Sequence, residues 1–180
     1  MLLGLAIAAV VLYPKGKAGK APADKMNLSQ RGAALLIERE GVRNKAYLDS
    51  VGVPTIGVGH TGNDFKLGDV WSDEKVKEVF AADVQRFVRP LNDALRGVRL
   101  TQDQFDALVS FAFNIGVGGF KSSDTYRHLR AGNVDKAGHA MRGWLRPREI
   151  EPRRNGEVAQ FYSKSYAARV TDLNKFFNVA

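Results

Sequence analysis

The chain contains no cysteine. This absence excludes disulfide bonds, thiolate nucleophiles and cysteine-based zinc sites. Histidine is scarce as well, with three residues in the chain. A hydrophobic run of the ~20 residues that comfortably span a bilayer is also missing, since the most apolar stretch, residues 1–13, falls short of that length.

The first thirteen residues, MLLGLAIAAVVLY, are uncharged and apolar. Their length suits the apolar part of a signal peptide, but no basic residue precedes them. Lysines follow instead, at positions 15, 17, 20 and 25, and this order opposes export of the C-terminal side. We interpret residues 1–13 as an export segment that is removed or released, with a buried core helix as the alternative. Residues 15–25 are expected to form a flexible basic linker.

Size and charge restrict the classes of protein without choosing one. A chain of 180 residues can form one core, or two small lobes that share a cleft. Its content of 44 % apolar and 26 % charged residues is typical of a globular protein. The net charge of +8 predicts attraction to polyanions: nucleic acid, anionic lipid or an acidic cell-wall polymer.

Hydrophobic periodicity predicts an α+β protein that is mostly helical. In its first half, a short helix with Asn27 as N-cap is expected to end at Gly41, which places Glu40 in its last turn. The segments 47–49 and 53–58 flank the turn-like 50–52 and predict a β-hairpin in which Asp49 and Thr55 face one another.

The second half of the chain predicts helices only. A long amphipathic helix begins at Ser72 and continues as far as a kink or break near Pro90. Thr101 and Gln104 form a capping box for a very apolar helix that Gly116 should end. Two shorter helices are expected at about 123–131 and 133–144, and a last helical region from past Pro152 to residue 177.

Two carboxylic acids and a threonine suggest glycosidic chemistry. Hydrolysis of a glycosidic bond needs a protonated acid for the leaving oxygen and an ionised carboxylate for water or for the sugar carbon. Glu40 suits the acid, because the negative end of a helix dipole disfavours its ionised form. Asp49, beside a solvated turn, suits the anion, and Thr55 could hold a water molecule. Acids nine residues apart are common, and most of them serve surface solubility. The spacing of Glu40 and Asp49 alone therefore does not establish glycosidic chemistry.

The surrounding motifs resemble those of a known family, the phage-type lysozymes (the phage endolysins of glycoside hydrolase family 24). The motifs are EGVR at 40–43, AYLD at 46–49, Gly52, TIGVGHT at 55–61, LTQDQFDALVSF at 100–111, FNIG at 113–116, and Ile150, Arg153-Arg154 and Glu157. The resemblance covers roughly residues 27–163. It implies a lysozyme-like fold, with a small N-terminal lobe carrying the β-hairpin and a larger all-helical C-terminal lobe joined to it by a long helix. The corresponding divisions are 1–26 for the apolar segment and linker and 27–180 for the enzyme domain, itself divided into 27–71, 72–96 and 97–180.

The resemblance also implies an activity and its residues. Glu40 is expected to be the general acid and Asp49, with Thr55, to activate the water. The reaction is inverting hydrolysis of the β-1,4 bond between N-acetylmuramic acid and N-acetylglucosamine. No metal and no organic cofactor is implied. The segment 146–152 is charged where relatives tend to carry a Gly-rich loop. The resemblance therefore does not define the far wall of the cleft or its substrate subsites.

Other residues receive supporting roles from the resemblance. His60 and Asp83 correspond to a structural salt bridge, so we favour stability over catalysis for His60. Asn114 matches a polar cleft position that could bind an acetamido sugar, with a helix-end cap as the alternative. Arg153 is a second candidate for substrate binding, and either it or Arg154 could pair with Glu40. We expect Trp144 to belong to the core rather than to form a sugar platform.

The expected partner is bacterial peptidoglycan, met in the periplasm of the infected host by a monomeric, virus-encoded or prophage-encoded enzyme. Residues 1–13 are similar to the N-terminal segments of signal-arrest-release enzymes, which implies transient association with the inner membrane. Two rival functions stay open. A lytic transglycosylase would need Glu40 but not Asp49, and a basic module that binds nucleic acid or membrane would need neither. We expect no nucleic-acid partner, because such a module leaves the Glu40, Asp49 and Thr55 pattern unexplained.

Overall fold

A computed structural model describes residues 19–145 and 147–162 of the chain. Strand β1 (Ala21–Pro22) pairs antiparallel with β4 (Arg99–Leu100), and a 3-10 turn (Ala23–Lys25) leads towards helix α1 (Gln30–Glu40). The prediction of a flexible linker over residues 15–25 is therefore wrong from Ala21 onward. Ala23 and Met26 are buried in the core, which fixes this segment on the rest of the protein. The apolar residues 1–13 and the end of the last helical region, beyond 162, lie outside the described residues.

Helix α1 begins and ends at residues with clear capping geometry. Its N-cap is Ser29, whose hydroxyl accepts from the Gly32 amide, so the prediction of Asn27 was wrong by two residues. Gly41 ends the helix with φ 76°, a conformation that favours glycine. Glu40 is the last helical residue, as its position before this glycine predicts.

The predicted hairpin is present, with a different register at its tip. Strands β2 (Arg43–Leu48) and β3 (Pro54–Gly57) pair antiparallel, and Thr55 lies opposite Tyr47. Asp49 therefore does not face Thr55 directly. Its backbone amide donates to the carbonyl of Val53, which places Asp49 diagonally across from Thr55. Irregular pairing between Arg43 and Tyr47 shows that β2 contains a bulge.

Helix α2 (Asp73–Ala94) is the long amphipathic helix of the sequence. The hydroxyl of Ser72 caps it by accepting from the Lys75 amide. The helix continues through Pro90, so the expected break near that residue is wrong. Pro90 stands one turn before the C-terminus, where its missing N–H costs a single helical hydrogen bond.

Four further α-helices follow in the described residues: α3 (Gln102–Ser122), α4 (Asp124–Arg130), α5 (Val134–Ala140) and α6 (Glu151–Phe161). Two 3-10 turns, Met141–Gly143 and Arg148–Ile150, lie between α5 and α6. Thr101 and Gln104 form the predicted capping box of α3. Gly116, with φ 78° and ψ 157°, interrupts α3 where the sequence predicted its end, but a second helical stretch follows directly. Helix α6 begins before Pro152 rather than past it, because a proline is tolerated in the first helical turn.

The hydrophobic core lies between α1, α2, α3 and α6. Leu36, Phe80, Phe105, Phe111 and Phe161 are all buried there. Trp144 packs edge-on against Phe111 at the margin of this core, with ring centroids 6.4 Å apart. No helix in the described parts of the chain has the length and apolarity needed to cross a bilayer.

Candidate active site

Glu40 is held at the end of α1 by an arginine from the opposite end of the described chain. Its Oε1 lies 2.7 Å from Nη2 of Arg153, on α6. That oxygen is buried and accepts no hydrogen bond from any described residue. The contact with Arg153 is therefore an ion pair without hydrogen-bond geometry. Arg153, rather than Arg154, is therefore the arginine that pairs with Glu40.

Arg153 is shared between two carboxylates. Its Nε donates to Oε1 of Glu157 at 3.0 Å, and its Nη2 donates to the carbonyl of Ser110 at 3.3 Å. The Arg153 side chain is 11 % exposed, while that of Glu157 is fully buried. These contacts fix the guanidinium and divide its charge between Glu40 and Glu157.

The second arginine of the pair supports Glu157 from the interior. Nη1 of Arg154 donates to Oε2 of Glu157, and its Nη2 donates to Oδ1 of Asn114 at 2.7 Å. The guanidinium also stacks on Phe111, 4.5 Å from the ring centroid. Burial lowers the pKa of Arg154, an effect that the negative charge of Glu157 opposes. A buried cation of this kind needs its carboxylate partner.

Two further contacts bring α1 and α3 into the same network. The hydroxyl of Ser110 donates to Oε1 of Glu157 at 2.7 Å, and it accepts from Nη1 of Arg39 at 3.0 Å. Sequence reasoning singled out Arg153, Arg154 and Glu157 but missed Ser110 and Arg39. A serine inside a very apolar helix was the available signal, because a buried hydroxyl requires partners.

Asp49 lies in a different environment from Glu40. Its Oδ1 accepts from the backbone amides of Val51 and Val53, at 2.9 and 2.8 Å, so the carboxylate is part of the hairpin turn. These two bonds fix the orientation of the carboxylate at the tip of the hairpin. Thr55 is buried, and its hydroxyl donates to the Val53 carbonyl at 3.1 Å. The hairpin thus brings Asp49 and Thr55 to neighbouring positions through their common neighbour Val53.

His60 makes the predicted contact with Asp83. Its Nδ1 lies 2.6 Å from Oδ2 of Asp83 on α2, and its Nε2 lies 3.0 Å from Oδ1 of Asp64. Burial lowers the pKa of His60, but the hydrogen bonds and charges of Asp64 and Asp83 outweigh that effect, so the net shift is upward. The imidazole also packs against Trp71, with ring centroids 5.4 Å apart. These contacts connect the segment after the hairpin to α2.

The structure brings only some of the candidate residues together. Glu40, Arg153 and Asn114 belong to one connected network, whereas Asp49 and Thr55 lie on the hairpin and His60 lies beyond it. Asn114 is exposed, and its amide oxygen is already used by Arg154, which leaves its NH₂ group as the donor available to a ligand. Within 19–145 and 147–162 no cluster of three His, Asp or Glu side chains is arranged to hold a metal ion.

Comparison with known proteins identifies the relatives of this chain. Residues 37–158 match the family described as Phage lysozyme. The endolysin of Salmonella phage P22 is 40 % identical over 146 residues, which cover 77 % of this chain and 99 % of that protein. The endolysin of Bacillus phage B103 is 45 % identical over 121 residues, 66 % of this chain. That match spans only 46 % of the Bacillus phage protein, less than half its length.

A solved structure agrees with these relationships. The structure of an endolysin from Escherichia coli O157:H7 phage FAHEc1 superposes with a TM-score of 0.74 and 32 % sequence identity. The superposition covers 79 % of this chain and 97 % of that one. The expectation of a mostly helical, lysozyme-like α+β fold is confirmed.

Proposed function

This chain belongs to the phage lysozyme family, and we propose that it is an endolysin that hydrolyses the β-1,4 bond between N-acetylmuramic acid and N-acetylglucosamine in bacterial peptidoglycan. The observation that supports this reaction most directly is the contrast between its two carboxylates. Glu40 is partly buried at a helix end and faces Arg153, while Asp49 is held by two amides at a solvated turn. Two carboxylates in different environments can take the two different roles that glycosidic hydrolysis requires.

In this reaction Glu40 donates a proton to the leaving glycosidic oxygen. Asp49 accepts a proton from the attacking water, and the Thr55 hydroxyl holds that water. The inverting course requires the two carboxyl groups to stand roughly 6.5–9.5 Å apart, so that a water molecule fits between Asp49 and the sugar. A lytic transglycosylase would not need Asp49 in this position.

Arg153 is a positioning residue for Glu40 in this proposal. Its Nη2 lies 2.7 Å from Oε1 of Glu40 and holds that carboxyl group at the end of α1. Because Arg153 also binds Glu157, only part of its charge acts on Glu40. Arg153 therefore fixes the orientation of Glu40 without neutralising its role.

Asn114 is the best candidate for a contact with the sugar. Arg154 occupies its amide oxygen, so the free NH₂ group can donate to the carbonyl oxygen of an acetamido substituent. Arg154 also orients this amide through a hydrogen bond of 2.7 Å. Asn114 thus recognises the N-acetyl group that distinguishes peptidoglycan sugars from simple glucans.

The protein is virus-encoded or prophage-encoded and acts on the wall of its bacterial host. We further propose that it acts in the periplasm, as a monomer, after residues 1–13 have carried it to the inner membrane and released it. Cell fractionation before and after membrane depolarisation tests this route. A protein found in the soluble fraction at both stages contradicts it.

The substitution Glu40→Gln tests the proposed activity. It preserves the size of the side chain and removes the transferable proton, so clearing of a peptidoglycan suspension should fall by at least about 100-fold. Glu38→Gln is the matched control, because Glu38 lies exposed on the same helix. A module that only binds polyanions would be indifferent to both changes.

A further inference from the structure

Arg43 is an exposed arginine held on the face of an aromatic ring. Its guanidinium carbon lies 4.3 Å from the centroid of Tyr47, on the same strand. Stacking of this kind orients the planar guanidinium while its N–H groups stay available around the edge. The position is fixed before any ligand arrives.

Within the described ranges Arg43 has no carboxylate partner, and its stack on Tyr47 separates it from the exposed arginines that form ion pairs. Three surface arginines each pair with an aspartate three residues earlier: Arg86 with Asp83, Arg96 with Asp93 and Arg127 with Asp124. For Arg43 the stack on Tyr47 takes the place of such an ion pair. An oriented guanidinium without an internal carboxylate is a ready site for an external one.

The stack lies beside the candidate active site. Arg43 follows Glu40 by three residues and pairs with Gly57 in the hairpin. Tyr47 pairs directly with Thr55, and side chains of paired residues share one face of a sheet. The stacked pair is therefore on the hairpin face that carries Thr55, between the end of α1 and the turn of Asp49.

We propose that Arg43, oriented by Tyr47, binds a carboxylate of the stem peptide that peptidoglycan carries on its muramic acid residues. This inference depends on the proposed muramidase activity. Where a stem peptide is attached, the lactyl carboxyl group of muramic acid is bound in the amide to that peptide, so the glycan chain offers a guanidinium only neutral hydroxyl and acetamido groups. The stem peptide itself offers planar carboxylates that fit the two-pronged geometry of arginine. Arg43 then makes the enzyme prefer peptide-bearing glycan strands to peptide-free ones.

The test compares Arg43→Gln with the native chain on two soluble substrates. One is a preparation of uncrosslinked glycan strands with their stem peptides. The other is the same preparation after an amidase has removed the peptides and the lactyl carboxylates that this frees have been converted to neutral methyl amides. We expect KM for the peptide-bearing strands to rise about three- to tenfold, the range of an accessible but well-oriented ion pair, with a much smaller change in kcat. KM for the peptide-free strands should rise by a clearly smaller factor.

Two further variants separate recognition from general effects. Tyr47→Phe keeps the ring face and should retain the preference, whereas Tyr47→Leu removes the stack and should lose part of it. Arg89→Gln removes the same charge from an exposed position on α2 and should leave both KM values unchanged. The thermal unfolding temperature of each variant shows whether it is folded.

The outcomes distinguish this inference from the proposed function. A native chain that cleaves neither substrate contradicts the muramidase activity itself. A native chain that cleaves both, with Arg43→Gln raising both KM values equally, overturns the role of Arg43 in peptide recognition. An equal effect of Arg89→Gln would also overturn it, because net charge would then explain the preference.

Discussion

Asp106 is a buried carboxylate whose titration should control the stability of the fold. It is 1 % exposed on α3 and accepts hydrogen bonds from the backbone amide and the hydroxyl of Ser29 and from the side-chain amide of Gln102. Burial raises the pKa of Asp106 to about 6, although the three hydrogen bonds act in the opposite direction. The residue connects the start of α1 to α3, so its protonation state affects the contact between two core helices.

The sign of the effect follows from proton linkage. The folded protein binds the Asp106 proton more tightly than the unfolded chain, whose aspartates titrate near the model value of 3.8. Stability from this group is therefore greatest below pH ~4 and decreases as pH rises towards about 6. Between the pKa of the unfolded chain and that of the folded protein, each pH unit lowers the free energy of unfolding by about 1.4 kcal/mol. Over the whole interval the loss is roughly 3 kcal/mol.

Asp106→Asn removes this titration and keeps the geometry. The amide oxygen can still accept from the Ser29 backbone amide and from Gln102, and the new NH₂ group can donate to the Ser29 hydroxyl oxygen. We expect the variant to gain about 3 kcal/mol relative to the native chain between pH 4 and pH 7. Urea unfolding followed by circular dichroism at pH 4, 5, 6 and 7 measures this difference directly.

A control and a contradicting result complete the experiment. Asp93→Asn removes an exposed carboxylate on α2 and should change the free energy of unfolding by less than about 0.5 kcal/mol at each pH. If the native chain and Asp106→Asn give parallel stability curves over this range, Asp106 does not titrate between pH 4 and 7 in the folded protein, and the reasoning is refuted.

Three other substitutions test separate parts of the structure. Asp83→Asn should lower the melting temperature most below about pH 6 and least above about pH 8. The reason is that Asp83 contributes to the raised pKa of His60, so it stabilises the fold only while the imidazole is protonated. Equal losses at both pH values would contradict this. Glu157→Gln leaves the buried Arg154 without its carboxylate, so urea unfolding should show a loss of about 3–5 kcal/mol, and a loss below about 1 kcal/mol would show that this pair is not needed. Asp49→Asn preserves an oxygen for both turn amides, so wall clearing should disappear while the melting temperature stays within about 2 °C, and retained clearing would remove Asp49 from the mechanism.

Features encoded by neighbouring residues could be read from the sequence. The caps at Ser72 and Thr101, the helix end at Gly41 and the existence of the hairpin depend on residues within a few positions of one another. Even there, Ser29 rather than Asn27 is the N-cap of α1; its hydroxyl accepts from the Gly32 amide and also contacts Asp106 on another helix. Asparagine and serine are about equally good N-caps, so local preference alone does not choose between the two positions.

Features that depend on distant residues could not be derived in this way. The register at the hairpin tip places Thr55 opposite Tyr47 because the turn closes between Asp49 and Val53, and the bulge further along β2 shifts the pairing of Arg43. Composition locates neither feature. The choice of Arg153 over Arg154 as the partner of Glu40 depends on which side of α6 faces α1. Similarity of motifs suggested that an arginine would pair with Glu40, but only the packing of α6 distinguishes the two.

In the proposed reaction Glu40 and Asp49 together hydrolyse the β-1,4 bond between N-acetylmuramic acid and N-acetylglucosamine in peptidoglycan. Mass spectrometry of peptidoglycan digested by the native chain and by Glu40→Gln tests it most directly. We expect muropeptides with a free reducing end from the native chain and undigested wall from the variant. Products that end in a 1,6-anhydro sugar, or equal digestion by both proteins, would contradict it.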